Sequence, residues 1–267
     1  MSKIYATGLT GTIGKHLQKP TEKIGIDLAS PMKDFIELDI LPKSTLLHLA
    51  AIVGETEVQK DRSKAFNINV NGSRKLAEIA AKRNCAKFIY ISTSHVYKRK
   101  NSKILESDPL EPMSFYAETK IEAENEITKV LESSAVDFTI IRVFSILDWG
   151  MPTFTLGGAI ERVLNGEDLL IRNGEDERDF LSPRTIAEVI FELAGMPKLP
   201  KIVNLCSSHA KPVFEAAQAM FLQAGQNLAS KVVLEKSDAP VIVGDNSLIR
   251  NLLEIDQLNW TLSQKPI

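Results

Sequence analysis

The chain has 267 residues, is 44% hydrophobic and 25% charged, and carries a net charge of −2. That length suits one large α/β domain or one domain with a smaller appendage, and the near-neutral balance gives no basic footprint for nucleic acid. No run of about 18 apolar residues argues for a membrane span, and Met1-Ser2-Lys3-Ile4-Tyr5 leads straight into a strand pattern, so no signal peptide is expected and the cytoplasm is the default location.

In chain order, Ile4–Thr7 is a short β-rich run that ends at a glycine turn. Ile13–Leu17 opens a helix that Pro20 keeps brief. Lys23–Leu28 reads as a second strand and Phe35–Leu38 as a short third. Thr45–Ala50 is an almost continuous apolar run, as expected of a strand buried on both faces. One long helical pattern covers about 62–83, with Phe66, Val70, Leu76, Ile79 and Ala80 near the 3.6 period. Lys87–Ser92 is again a buried strand, Phe115–Leu131 a second long helix, and Asp137–Val143 another strand. Strands separated by helices predict a parallel sheet with right-handed crossovers.

Beyond Trp149 the rhythm loosens. Leu156–Asn165, Thr185–Ala194 and Pro212–Ala224 read as helices, and Leu169–Arg172, Ile202–Leu205 and Lys231–Leu234 as short strands. The expected fold is therefore a Rossmann-type doubly wound parallel sheet with a smaller C-terminal α/β lobe. Cys85 and Cys206 have no ligand partners at metal spacing and read as small buried hydrophobes, and no metal site is expected.

Three features carry chemistry. Gly8, Gly11 and Gly14 follow the first strand, where glycines allow a tight turn, close approach to a pyrophosphate and close helix–sheet packing. Asp27, expected at the end of the second strand, can accept bonds from both adenosine ribose hydroxyls and repels a 2′-phosphate, which favours NAD, while Lys33 nearby leaves NADP open. Asp39 and Ile40 are placed to flank the adenine. The third feature is Ser92-Thr93-Ser94 at a strand end, followed by Tyr116 and Lys120 four residues apart on one helix face. A phenol acting as base at neutral pH needs its pKa lowered by about three units, or about 4 kcal/mol. An ammonium about 4 Å away supplies a comparable amount at an effective dielectric of about 20. Lys120 is thus expected to acidify Tyr116, with Thr93 holding the substrate oxygen.

In this order the motifs resemble an extended short-chain dehydrogenase/reductase of the NAD-dependent epimerase/dehydratase type. The glycine turn resembles the family's G-x-x-G-x-x-G, and His48-Leu49-Ala50-Ala51 the motif that ends the fourth strand. Asn67–Gly72 with Ser73 resembles its N-x-x-G-T segment, Phe88–Tyr97 its Ser/Thr segment, and Tyr116-Ala117-Glu118-Thr119-Lys120 its catalytic pair. Gly174–Phe180 resembles its G-x-x-x-R-D-F, which implies that Arg178 binds the nucleotide of a sugar donor and that Asp179 orients Arg178. The resemblance implies Thr93, Tyr116 and Lys120 as catalytic. It implies NAD contacts from Gly8, Thr10, Gly11, Thr12, Ile13, Gly14, Asp27, Asp39, Ile40, Leu49, Ala50, Ala51, Asn69, Ser92, Tyr116, Lys120 and Val143. Substrate contacts are implied for Thr93, Ser94, His95, Ser145 and Arg178.

The chain also departs from the pattern. Dehydratases of the family carry Asp-Glu after the catalytic Thr, where Ser94 and His95 stand here, which disfavours a 4,6-dehydratase. The expectation is an NAD-dependent oxidoreductase or epimerase acting on a nucleotide-linked sugar. Its alternatives are a 4-keto-sugar nucleotide reductase and a non-catalytic dinucleotide sensor. Residues 1–149, with parts of 185–210, are expected to bind NAD, and 150–267 mainly the substrate. The resemblance also implies a homodimer, since in many relatives the helices corresponding to 62–83 and 115–131 form the dimer bundle, and this requires an exposed apolar stripe on each.

Overall fold

A computed structural model describes residues 3–17, 21–30, 32–227, 232–238 and 241–264. They divide into two compact units. The first comprises residues up to Tyr97, Pro109–Val143 and Ile186–Val203, and the second Lys98–Asp108, Phe144–Thr185 and the residues from Asn204 on.

The first unit opens with β1 (Ile4–Thr7), β2 (Thr21–Lys23), α1 (Met32–Ile36) and β3 (Thr45–His48). Next come α2 (Glu55–Lys60), α3 (Arg62–Phe66), a wide π turn at Asn67–Gly72, and α4 (Ser73–Lys82). β4 (Lys87–Thr93), α5 (Phe115–Leu131) and β5 (Asp137–Val143) complete the frame. The sheet runs β2-β1-β3-β4-β5 and ends on β8 (Ile202–Leu205), and the pairs from β2 to β5 are parallel. β3 is buried throughout and β4 nearly so, because helices cover both faces. Tyr5, Leu46, Phe88, Tyr90 and Ile140 from the strands share one core with Leu76, Ile79, Ala80, Ala123, Ile127 and Leu131 from α4 and α5. β1 has β2 on one side and β3 on the other, so the chain reverses direction across the sheet at that point. Such a switch leaves a crevice at the C-terminal strand ends.

The second unit contains β6 (Ser145–Ile146), α6 (Leu156–Leu164), β7 (Glu177–Leu181), β9 (Ala210–Pro212), α8 (Val213–Gln223), β10 (Val241–Ile242) and α9 (Ser247–Leu253). α7 (Pro183–Gly195) starts in this unit and continues in the first. Its sheet runs β10-β7-β6, with β9 antiparallel to β7. Leu147, Trp149, Ile160, Phe180, Met220 and Phe221 form its core, and Trp260 packs against them.

The doubly wound sheet, α5, β5 and β8 stand where the sequence places them. Other elements differ. The expected strand at Phe35–Leu38 is the helix α1, in which Phe35 is fully buried. Its burial rests on one aromatic packed from a helix, which a strand pattern over four residues cannot distinguish. The second strand is Thr21–Lys23 rather than Lys23–Leu28. The brief helix after the glycine turn is a single 3-10 turn, Gly14–His16. Helix 62–83 is split by the π turn, and Phe66 of its expected apolar face is 39% exposed. Leu169–Arg172 reduces to one bridge, Ile171 to Val232, and Lys231 lies outside the described residues. Both cysteines are buried and free. No helix of the described residues is long and apolar enough to cross a membrane.

Candidate active site

Gly8 leaves the end of β1 with φ +74°, a left-handed conformation that favours glycine. A β-carbon there would lie 2.7 Å from the Ala50 nitrogen, and one at Gly14 would lie 2.1 Å from the Gly8 carbonyl oxygen. The Gly11 N–H closes the turn on the Gly8 carbonyl at 2.9 Å. The loop therefore lies flat against the end of β3, with Thr10 and Gly11 exposed and Thr12 and Ile13 half-buried.

A buried relay fixes this corner. The Ala50 N–H donates to Thr7 Oγ1 at 3.2 Å, and Thr7 Oγ1 meets His48 Nδ1 at 2.8 Å. His48 Nε2 meets Ser73 Oγ at 2.8 Å, and Ser73 Oγ donates to the Asn69 carbonyl at 2.5 Å. Since Ser73 gives its proton to Asn69, the network assigns Nε2 as the protonated nitrogen of His48. Burial, and after it the charge of Lys120, pushes the His48 pKa down to about 3. Sequence reasoning took His48 only as part of a motif and missed Thr7. The alignment of Thr7 and His48 at the ends of neighbouring strands was the available signal.

Thr93 ends β4, and Tyr116 and Lys120 lie on the first turns of α5. Burial pushes the Tyr116 phenol up to about 12, and a hydrogen bond with the Thr93 hydroxyl works the other way. Thr93 and Tyr116 are thus brought together. The expected acidification of Tyr116 by Lys120 is not what this structure holds. Lys120 is buried, and its Nζ donates to the Ile91 carbonyl at 2.7 Å and lies 4.1 Å from the centre of the Tyr90 ring. Burial lowers its pKa to about 7, against the pull of Glu124. Desolvation therefore dominates both groups, and the phenol is protonated at neutral pH.

Below the pair, Glu124 stands one turn after Lys120. It accepts from Arg142 Nη2 at 2.6 Å and from Arg142 Nε at 3.2 Å, and from the Ser92 hydroxyl. Arg142 also stacks over the Tyr97 ring at 4.7 Å. Ser92 was expected at the cofactor, but its hydroxyl turns inward to this carboxylate because Glu124 needs a further donor once buried. The Lys120-x-x-x-Glu124 spacing was the overlooked signal. A second acid, Glu55 of α2, accepts the Tyr116 N–H at 3.1 Å, and Ser114 Oγ accepts the Ala117 N–H at 3.1 Å. Both cap the start of the helix that carries the tyrosine.

Other expected residues are placed as follows. Asn69 is fully buried. Its Oδ1 accepts from the Ile52 N–H, and its Nδ2 donates to the Ile52 carbonyl and to Thr119 Oγ1, so its amide ties the π turn to residue 52 and to α5. Asp27 lies beyond β2, exposed, in a turn where it accepts the Ala29 N–H at 2.9 Å. Asp39 is exposed, whereas the Ile40 side chain is buried in the core. Leu49, Ala50 and Ala51 are half-buried at the end of β3, and Val143 ends β5, buried. Ser94 is buried, and His95 is exposed with its ring edge-on to Tyr116 at 6.5 Å.

In the second unit, Ser145 on β6 is paired in register with Phe180 of β7. Arg178 on β7 donates to Asp176 at 2.7 Å and to the Glu177 carbonyl at 2.9 Å. Asp179 does not orient Arg178. Alternation along the strand turns it inward, where it accepts from the Ser207 N–H and hydroxyl, the Ser208 N–H and the Gly244 N–H. Asp176 takes the orienting role instead.

Residues 4–206 match the NAD dependent epimerase/dehydratase family. The chain belongs to that family. It is similar to GDP-6-deoxy-D-talose 4-dehydrogenase of Aggregatibacter actinomycetemcomitans, with 25% identity over 95% of this chain and 92% of that one. It is 23% identical to GDP-6-deoxy-D-mannose reductase of Pseudomonas aeruginosa over 82% and 79% of the two chains. Among solved structures, RMD from Pseudomonas aeruginosa complexed with NADPH shares the fold at a TM-score of 0.83 and 20% identity, over 100% of this chain and 94% of that one. MoeE5 in complex with UDP-glucose and NAD does so at 0.82 and 20% identity, over 97% and 94%.

Proposed function

We propose that this protein is an NAD(P)-dependent oxidoreductase acting on a nucleotide-linked sugar, with Thr93, Tyr116 and Lys120 at its reacting centre. The observation that carries the reading is the pairing of the Thr93 and Tyr116 hydroxyls at the C-terminal edge of the sheet, one helical turn from a buried lysine. The residues fit a dinucleotide, because the Gly8–Gly14 loop is held flat by contacts that a β-carbon would break. Gly8 to Gly14 would hold the pyrophosphate, and Asp27 the adenosine ribose. A bound nicotinamide supplies the hydride acceptor or donor. Tyr116 Oη moves the proton to or from the sugar oxygen, and Thr93 Oγ1 holds that oxygen in line. The first unit is proposed to bind the dinucleotide, and the second, through Arg178, the nucleotide end of the substrate.

The same proton step serves either reaction: as a phenol Tyr116 gives a proton to a ketone oxygen, and as a phenolate it takes one back. An epimerase runs both halves of that cycle and a 4-keto-sugar reductase one, and two relatives are named as a 4-dehydrogenase and a reductase. The homodimer belongs to the same proposal, although Phe66 is the only large exposed hydrophobic that the described residues of either helix present. A single-protomer mass by light scattering would remove it.

The test is turnover. Purified protein is assayed for bound NAD(H) by mass, then given a panel of nucleotide sugars and their 4-keto forms while NADH absorbance is followed. Turnover of one donor that is lost in Tyr116→Phe supports the reading. Intact cofactor binding with no turnover of any donor would favour a non-catalytic sensor.

A further inference from the structure

Beneath the reacting hydroxyls lies an ion pair to which the proposed chemistry gives no part. Glu124, Arg142 and Ser92 are all buried. Arg142 of β5 stands directly opposite Ser92 of β4 in the parallel register. Glu124 of α5 spans that cross-strand pair. It accepts from Arg142 Nη2 at 2.6 Å, from Arg142 Nε at 3.2 Å, and from the Ser92 hydroxyl.

Tyr116, Lys120 and Glu124 follow one another at four-residue steps and so share one face of α5. Their partners on β4 are consecutive residues. Lys120 Nζ donates to the Ile91 carbonyl at 2.7 Å, Glu124 takes the Ser92 hydroxyl, and Tyr116 shares a hydrogen bond with the Thr93 hydroxyl. Glu124 extends this attachment to β5 through Arg142. The other two contacts are poor anchors, because Tyr116 has to exchange its hydrogen bond with the sugar oxygen during turnover. A buried ion pair gives little net stability over apolar side chains of the same volume. Its presence at this point therefore speaks for placement.

We propose that Glu124 is a positioning residue for the reacting centre, anchoring α5 on the Ser92–Arg142 pair so that Tyr116 and Lys120 stand at the end of β4. This role rests on the functional reading above, because it serves the pair named there. The anchor also sets a carboxylate one turn from the buried ammonium. Lys120 is otherwise faced by His48 of β3, Tyr90 of β4 and Tyr116 of its own helix, with Arg142 of β5 behind Glu124. Burial works against the Lys120 charge, and Glu124 works for it.

The experiment uses the full chain in three forms: wild type, Glu124→Gln, and the double variant Glu124→Leu/Arg142→Met. The first variant keeps the shape and loses the charge. The second replaces the whole pair with apolar side chains, which keeps the fold available if the single variant does not fold. Melting temperature, NADH affinity, and kcat and KM for the donor found in the panel are measured on each. The titration of Lys120 is followed by NMR with lysine carrying ¹³C at Cε, its signal assigned by Lys120→Arg. In wild type Lys120 should titrate at about 7. Glu124→Gln should lower its proton affinity by about 10-fold or more, one pH unit, and the double variant by less, since the repulsion of Arg142 has gone as well. Both variants should bind NADH within about 2-fold of wild type and lose about 10- to 100-fold in kcat, with KM little changed. A merely structural pair behaves differently. Melting temperature falls in Glu124→Gln, while the double variant recovers it together with wild-type kcat, and that result overturns the proposal. A Lys120 titration unmoved in Glu124→Gln, or in the double variant if the single one does not fold, also overturns it. If no donor is turned over by wild type, the functional reading fails, and the titration alone decides the role of Glu124. If Tyr116→Phe abolishes turnover and neither Glu124 variant changes kcat, the function stands and this role fails.

Discussion

In the first unit, β4 and β5 run seven residues each in parallel register, whereas in the second β6 and β10 are two residues each. The long strands are held by their own ladders and by apolar faces. The short ones are held by buried carboxylates. Asp148 accepts from the Trp149 N–H and from the Ser263 N–H and hydroxyl. Asp176 takes the Ser237 N–H and hydroxyl. Asp179 gathers Ser207, Ser208 and Gly244. In the first unit the buried polar groups include a neutral histidine relay, the Glu124–Arg142 pair, and Lys87, which donates to the Leu193 and Ala194 carbonyls at the end of α7. The contrast shows that regular elements and carboxylate staples are alternative ways of satisfying a buried backbone.

The comparison can be broken most sharply at the proposed reacting centre, whose residues Thr93, Tyr116 and Lys120 all belong to the first unit. Tyr116→Phe should lower turnover by about 10²- to 10⁴-fold with cofactor affinity retained, as read by steady-state kinetics and NADH titration. The next effect is on the acid limb of stability. The folded-state pKa of His48 is about 3 against an ordinary 6.5, so the unfolded chain binds more protons in that window. The stabilisation is present above pH 6.5 and is lost as pH falls toward 3, by roughly 5 kcal/mol if His48 titrates alone. Urea unfolding across that range should show this slope in wild type and a flatter one in His48→Gln. An unchanged slope would remove His48 as its source.

Asp179→Ala addresses the other unit. It leaves the Ser207, Ser208 and Gly244 N–H groups without this acceptor, while the Ser207 hydroxyl keeps the His209 carbonyl, and should cost about 3 kcal/mol in chemical denaturation. It should also raise hydrogen exchange in the segments around Ser207 and Gly244 before it affects β4. Uniform loosening of both units would erase the distinction. The smallest effect is expected at Ser114→Ala, about 1 kcal/mol for one lost helix cap. Since Glu55 caps the same helix from α2, the loss is expected at the low end when measured by thermal unfolding.

How much of this was legible follows the same division. α5 was readable to the residue because a serine cap precedes a long periodic run, and β5 because seven residues of β-rich sequence are buried on both faces. β7 carried the G-x-x-x-R-D-F resemblance yet was not read as a strand, since Glu177, Arg178 and Asp179 lack any apolar alternation. The trio itself was visible as spacing. The charge states of Tyr116 and Lys120 were not, because they depend on how much water burial removes, and sequence spacing carries no measure of desolvation. Asn69 and Ser92 show the same limit, since the motif located them but not the direction in which their side chains point.

The division into units also constrains how the molecule can be taken apart. The chain passes from one unit to the other at 97/98, 108/109, 143/144, 185/186 and 203/204. A gene cut at residue 150 therefore yields no self-sufficient half, because the N-terminal product lacks β8 and all of α7, and the C-terminal product lacks the Lys98–Asp108 segment. Split-protein reporters or domain grafts built on this scaffold would have to exchange interleaved segments, and two-fragment complementation would depend on both pieces folding around each other.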